Sequence, residues 1–518
     1  MKFIVKEFVD SFRNKDAYTR VEKGSLLFYL VLTLLSFGFL AFFSYYTSPL
    51  SSCDNGYDAA FFRLVGQGMT KGYLPYRDFF DMKGPYLFLI EYVGQVLSYG
   101  RLGIFIIQWV NLFTVLVIMC KIMERFNITG RYLQFGLLLP LLFIAGFTFE
   151  GGNLTEEFSL IPLLSCLYLC LLYFDHCTDQ TDFYEHRIYQ VIGVWFGICF
   201  GFLVLIRITN AALLGAMCLT ILLNEIVSCK YNNLNCLFKY FLLGVFISVC
   251  PIILYFALQG LLREMLEAVF VLGVRYSAEK SFFHHIEEIV IGKRNSLLLL
   301  CIVPCYIPFL VNWRSWRERF LVLTGSLLTF FAIASGNNYT HYYTLTIPLL
   351  LLAEVAVVES IGSKKGLKEV LAIIVIAVMF IQQSSILSEY WGRAYSHLFY
   401  QNAYKMGEQV RDISSRIPAK DRNFVFCYNV HPNWYTYADL FPCFKYCGWQ
   451  NHYIRLMPEI YNALENSFKH QPPVYLVLPK ANGNLPLFLK EMLKTDYKQV
   501  YANQSYRLLL RKRKINYR

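Results

Sequence analysis

The chain has 518 residues, 56% of them hydrophobic and 16% charged, with a mean hydropathy of +0.41. Soluble domains carry roughly a quarter charged residues, so this composition excludes an ordinary soluble globule and points to a polytopic helical membrane protein. The net charge of +12 does not mark a nucleic-acid binder, because the basic residues gather in short segments between apolar runs, as the positive-inside rule expects.

The first 24 residues, "MKFIVKEFVDSFRNKDAYTRVEKG", are charged, and no small-residue cleavage site follows the apolar run after them. Residues 25–46 therefore read as a retained first span and 1–24 as a cytoplasmic segment. Further apolar runs lie at 102–120, 132–148, 158–174, 189–206, 211–227, 239–259, 296–312, 320–336, 341–358 and 369–386. Together they predict about eleven helices, each near the length that crosses roughly 30 Å of hydrocarbon. Lys and Arg concentrate in 1–24, 121–131, 314–319 and 364–368, which share one side of this arrangement. That side is expected to be the cytoplasm of a plasma or inner membrane. Segments 175–187 and 228–238 fall on the same side and add little.

Residues 47–101, 149–157, 260–295, 336–341 and the tail then face outward. Within the first of these, "GPYLFLIEYVGQVLSY" (84–99) is apolar but short, which suits a re-entrant or interfacial helix. A span there would turn the later basic loops outward. Beyond the membrane domain, taken as 25–387, "NFVFCY" (423–428), "VYLVLP" (474–479) and "YRLLLR" (506–511) read as strands. Helical stretches near 399–416, 456–468 and 484–493 surround them. The fold expected is an all-α membrane bundle followed by a small extracytoplasmic α/β domain over 388–518, long enough for its own core. The 15 cysteines are scattered, many within apolar runs, where they act as small buried hydrophobes. "PCFKYC" (442–447) is too sparse for a metal site and leaves a disulfide open.

The first outer segment is unusually charged. "DAAFFRLVGQGMTKGYLPYRDFFDMKGP" (58–85) holds Asp58, Arg63, Lys71, Arg77, Asp78, Asp81 and Lys83. Apolar residues at 61, 62, 64, 65 and 69 fit a helix lying on the membrane surface, ended by Gly72 and Pro75. The plain reading makes Asp58 an N-cap and the rest a solvated loop. Asp54, Asp78 and Asp81 are other acid–base candidates, the last two also readable as scaffolding partners of Arg77 or Lys83.

The pattern as a whole resembles the first external loop of lipid-dependent glycosyltransferases with the GT-C fold. The likeness is to the branch of protein O-mannosyltransferases and aminoarabinose transferases, glycosyltransferase family 39 and its bacterial relatives. It rests on Asp58, "MTKG" (69–72) and "PYRDFFDMKGP" (75–85). It extends to "FEGGNLTEEF" (149–158), "LIRITN" (205–210), "SGNNYTHYY" (335–343) and the tail domain, and so runs along most of the chain. Two departures leave the acceptor open: Ala59 stands where many relatives have Glu, and "KGP" replaces the Lys-Pro-Pro of some members.

This resemblance implies transfer of a sugar from a polyprenyl phosphate to a hydroxyl of a glycan, lipid or protein, with inversion at the anomeric carbon. A hydroxyl is a poor nucleophile and needs a carboxylate to take its proton; Asp58 is the candidate base. The departing phosphate needs fixed cations, for which Lys83, Arg207 and His341 are candidates. Glu156, Asn153, Asp81 and Tyr342 are candidates for sugar or acceptor binding. Each has a plainer reading: Glu156 and Glu157 as a helix start after Thr155, and Tyr342 and Tyr343 as part of an aromatic belt. "FFHHIEEI" (282–289) offers metal ligands, but HExxH is absent, so a solvated interfacial helix is expected and no cofactor or metal is assigned. Asn-x-Ser/Thr triplets at Asn127, Asn153, Asn338 and Asn503 read as chance matches. The alternatives are a transporter or flippase of lipid-linked sugars, which would place polar helices near mid-membrane, and a polysaccharide polymerase or ligase, whose large external loop lies later in the chain.

Overall fold

A computed structural model describes residues 23–51, 56–179, 185–279, 281–363, 367–399, 405–481 and 484–512. Most of the charged N-terminal segment, Asp54, Lys364 and Lys365 lie outside these residues. Long helices follow the apolar runs: α1 (Lys23–Phe43), then two shorter ones, α2 (Tyr57–Met69) and α3 (Pro85–Leu97). After them come α4 (Leu102–Arg125), α5 (Arg131–Thr148), α6 (Thr155–Asp179), α7 (Glu185–Ile206), α8 (Ala212–Val227) and α9 (Tyr231–Leu258). The bundle ends with α10 (Phe282–Val290), α11 (Leu299–Leu310), α12 (Trp316–Ala334), α13 (Ile347–Ser363) and α14 (Leu367–Phe399).

Among the described residues nine helical segments are long and apolar enough to cross a membrane, or ten if the pair at 282–290 and 295–310, bent by 101°, counts as one. The protein is a multi-pass membrane protein. The count differs from eleven for two physical reasons. α12 opens with Arg317, Glu318 and Arg319, which leaves too short an uncharged stretch. The apolar run at 296–312 forms a 3₁₀ turn (Asn295–Leu298) and the 12 residues of α11, with Pro304 and Pro308 inside it, and the helix before it is bent away by 101°.

Burial separates the spans by role. In α6 and in the 340–361 segment 78% of the apolar window is buried, against 17% in α9 and 22% in α14, so the first two form the bundle centre and the last two face lipid. α9 lies tight on α7. A Cβ on Gly197 would meet the Phe241 carbonyl oxygen at 2.1 Å and one on Gly244 the Val194 oxygen at 2.1 Å, the small-residue contact that lets membrane helices approach. The 13 residues of α3 reach only about 20 Å, too little to span, and Leu89, Val93, Val96 and Leu97 form an exposed apolar face.

The tail domain is built on a four-stranded sheet, β1 (Val425–Cys427), β2 (Tyr475–Pro479), β3 (Tyr497–Ala502) and β4 (Tyr506–Arg511), in the order β1-β2-β4-β3. β1 runs parallel to β2, while β4 is antiparallel to both β2 and β3. The predicted strands are present. β3 escapes a hydrophobicity reading because it is an edge strand with Lys498 and Gln499 exposed, the usual guard against edge pairing. Helices α15 (Lys405–Ser414), α16 (Gln450–Leu456), α17 (Glu459–His470) and α18 (Leu487–Thr495) pack around it. The outer loop and this domain share one apolar core: Phe61, Phe62, Phe79 and Phe80 cluster with Val425, Phe426, Tyr453 and Leu476. A backbone bond from the Phe80 N–H to the Lys445 carbonyl (2.9 Å) ties them further.

Candidate active site

A cavity of ≈ 710 Å³ opens where α2, the 81–83 turn, the 150–154 turn, the end of α7, the 337–342 segment and α16 meet. Asp58, Asp81, Lys83, Arg207, His341 and Tyr342 all line it. Six of the eight residues singled out from the sequence are thus brought together from three distant parts of the chain.

Asp58 lies in the first turn of α2, but the N-cap is Gly56 and no side chain caps this end. Asp58 therefore does not cap α2; it lines the cavity from the helix's first turn. Gly56 is needed there, since a Cβ would meet the Tyr46 ring at 2.5 Å.

Lys83 owes its place to the turn before it and the glycine after it. Pro75 and Phe79 form a bridge, Tyr76 takes φ 68°, and its hydroxyl donates to the Lys83 carbonyl (2.8 Å). Asp78 accepts from the Leu74 N–H (2.7 Å) and pairs with Arg77 (2.8 Å), which is scaffolding. Gly84 then presses on the end of α7: its N–H donates to the Ile206 carbonyl (3.1 Å), and a Cβ would lie 1.9 Å from the Leu205 oxygen. The glycine of "KGP" thereby sets Lys83 beside Arg207, the residue that follows α7. Pro85 starts α3 at the position where a missing N–H is harmless. Among the described residues no carboxylate oxygen lies within 4.0 Å of the Lys83 ammonium, which stands over the Phe62 ring, 5.9 Å from its centroid.

Arg207 is differently held. Its guanidinium bonds Glu156 Oε1 at 2.7 Å and stacks on the Tyr342 ring at 4.0 Å. Glu156 is buried behind it and also accepts from Thr155 Oγ1 (2.9 Å); it reaches the cavity only through Arg207. Glu157 is a helix start, accepting the N–H groups of Asn153 and Leu154. Asn153 is not brought to the cavity: its side chain is buried and donates to Glu91 (2.6 Å). Tyr342 and Tyr343 are buried rather than set in an aromatic belt, the latter bonded to Asn338 (3.0 Å).

The glycines of "FEGGN" explain how Glu150 enters the site. Glu150, Gly151, Gly152 and Asn153 all have positive φ (48°, 94°, 89° and 68°), a run that favours glycine. A Cβ on Gly152 would meet Ser44 Oγ at 1.8 Å. The turn aims Glu150 at the His341 ring Nδ1, with which it shares a hydrogen bond, and at the Tyr390 hydroxyl (2.8 Å). Burial would raise this carboxyl, yet His341 and the bond from Tyr390 outweigh it and bring it down to about 2.

Asp81 is buried; it accepts from the Lys83 N–H (2.8 Å) and the Tyr453 hydroxyl (3.0 Å). Burial raises its carboxyl to about 6 against the pull of the Lys83 ammonium. Among the described residues no three His, Cys, Asp or Glu side chains converge to hold a metal ion; His284 instead faces Glu288 at 3.3 Å. The cysteines of "PCFKYC" are free thiols.

The sequence reading missed Glu150 and everything that the tail domain and the 272–279 segment supply: Trp449, His452, Tyr453, Arg455, Tyr276 and Glu279. Glu150 was within reach, since it opens a motif whose paired glycines signal a turn. The aromatic density of "KYCGWQNHYIRL" (445–456) was the other available signal.

No family model matches the chain, and no curated protein does. Solved structures do. The crystal structure of ArnT from Cupriavidus metallidurans bound to undecaprenyl phosphate superposes with a TM-score of 0.59, covering 94% of this chain and 98% of that one at 11% identity. The apo state of the same protein gives 0.56, with 94% and 97% covered, again at 11% identity. The fold is that of ArnT. With 94% of this chain covered, the ArnT likeness takes in both the bundle and the tail domain. It agrees with the GT-C resemblance of the first loop. At 11% identity the ArnT comparison speaks to the fold and leaves each side chain to the geometry above.

Proposed function

We propose that this chain is an integral-membrane glycosyltransferase that moves a sugar from a polyprenyl-phosphate donor to a hydroxyl acceptor on the outer side of the membrane. In this reading the N-terminus is cytoplasmic and the tail domain extracytoplasmic. The observation that carries it is the meeting, in one cavity of an ArnT-like fold, of the Asp58 carboxylate with Lys83 and Arg207. That undecaprenyl phosphate occupies ArnT supports a donor of the same lipid class.

The acceptor hydroxyl gives its proton to Asp58 as its oxygen bonds to the anomeric carbon. The bond from that carbon to the phosphate oxygen breaks, and the new charge on the polyprenyl phosphate is met by Lys83 and, with its charge shared by Glu156, Arg207. Displacement from the face opposite the phosphate inverts the anomeric carbon. The polar groups gather at one end of the bundle beneath the tail domain, which fits an interfacial transferase better than a transport path through mid-membrane.

Purified protein given an undecaprenyl-phosphate-linked radiolabelled hexose and envelope acceptors tests this. Asp58→Asn is expected to lower transfer by about 10²–10⁴-fold while undecaprenyl phosphate still binds with an unchanged Kd. Full transfer by Asp58→Asn would remove it as the base.

A further inference from the structure

We infer that the tail domain supplies the acceptor subsite of this cavity and that the acceptor is a carbohydrate, a sugar ring lying against Trp449 beside Tyr57. The inference rests on the transferase reading above and adds the class of acceptor.

Trp449 lines the cavity and is 38% exposed. It is nevertheless fixed. Its N–H donates to the Tyr57 hydroxyl oxygen (2.7 Å), the two rings lie 4.1 Å apart between centroids at 47°, and a Cβ on the preceding Gly448 would touch the Phe61 ring at 3.0 Å. Trp449 also has φ 50°, a left-handed backbone that a bulky residue adopts only when its surroundings impose it. An indole held with one part against Tyr57 and another open to the cavity is a prepared apolar surface. Tyr57 precedes Asp58, so anything resting on this aromatic pair lies next to the candidate base.

Polar groups ring that surface. His452 stands 6.0 Å from the Trp449 ring and 5.7 Å from Tyr276 between centroids. Arg455 reaches both His452 Nδ1 (3.0 Å) and Glu279 (3.4 Å). A pyranose has this complementary character: polarised C–H groups on its face, which suit the negative face of an aromatic ring, and hydroxyls on its edge, which need donors and acceptors around the rim. A peptide acceptor held by strand addition would call for an exposed strand edge, and none of the cavity-lining residues belongs to a strand. Lys83 and Arg207 come from the 81–83 turn and the end of α7, whereas the Tyr57–Trp449 pair joins α2 to the tail domain.

The test uses the full-length protein in detergent, an undecaprenyl-phosphate-linked radiolabelled hexose, and three acceptor fractions from envelopes of cells lacking the protein: delipidated glycan, glycolipid and protein. Label is expected in the glycan or the glycolipid fraction, which also tells the two carbohydrate sources apart. Trp449→Leu is expected to raise KM for that fraction about tenfold with kcat kept within twofold and with the Kd for undecaprenyl phosphate unchanged. Label confined to protein, or a Trp449→Leu KM equal to wild type, overturns the subsite. Transfer to no fraction counts against the transferase reading alone. Quenching of tryptophan fluorescence by the glycan and glycolipid fractions then decides the subsite: quenching weakened in Trp449→Leu upholds it, and equal or absent quenching overturns it.

Discussion

Replacing Arg207 by Met separates what this residue does for the fold from what it does for a ligand. The guanidinium lies 2.7 Å from Glu156 Oε1 and covers the Tyr342 ring at 4.0 Å, while Glu156 is only 1% exposed. Without Arg207, the remaining described partner of that carboxylate is the Thr155 hydroxyl. Breaking a buried ion pair from one side costs about 3–5 kcal/mol, and the lost stacking adds about 1–2 kcal/mol. Removing both charges avoids the stranded carboxylate, so Arg207→Met/Glu156→Leu is expected to recover all but about 1–2 kcal/mol, because a packed apolar pair replaces an ionic one with little net change. Denaturant unfolding in detergent, followed by near-ultraviolet circular dichroism, measures both variants. Binding of undecaprenyl phosphate is expected to stay weak in the double variant despite its restored stability. A single variant within about 1 kcal/mol of wild type, or a double variant no more stable than the single, would refute the reasoning.

Lys83→Met is expected to weaken undecaprenyl phosphate binding by about 10–150-fold, the loss of one charge-assisted hydrogen bond of roughly 1.5–3 kcal/mol, with little change in unfolding midpoint; unchanged affinity in a titration calorimeter would count against a phosphate role. Asp81 carries a pH signature. Burial raises its folded-state carboxyl from the ordinary 3.8 to about 6, so its contribution to stability is full below about pH 4 and is lost as the pH climbs through about 6. The thermal midpoint of the wild type should therefore fall across that window relative to Asp81→Asn, and parallel curves for the two proteins would contradict it.

The sequence made the membrane bundle legible because a span needs about 20 apolar residues, a signal that needs no partner to be read. Strands β1, β2 and β4 were legible for a related reason, since "VFC", "YLVLP" and "YRLLLR" are mainly buried and read as apolar runs. What failed was decided by tertiary context. β3 is polar because it is an edge, and α12 has the length of a span but begins with three charges. In the site, Asp58 and Lys83 stood out because charge between apolar runs demands an explanation. Arg207 was visible as a charge at a helix end, but its pairing with Glu156 joins positions 51 residues apart and has no local trace. Trp449, His452 and Tyr453 carry no local mark of a site. Only the shared core that lays this domain against Phe61 and Phe80 turns them into a wall of the cavity.

That shared wall bears on when the protein becomes competent during its synthesis. Chains emerge N-terminus first and domains fold as units, so α2 and the turn bearing Lys83 are in place long before residues 449–455 have left the ribosome. Until α16 docks, Tyr57 and Asp81 lack the Trp449 and Tyr453 partners that hold them, and the cavity lacks the wall that these residues form. The cavity is thus completed only by the last fifth of the polypeptide, and a nascent chain halted inside the bundle would be inserted with one wall of it missing.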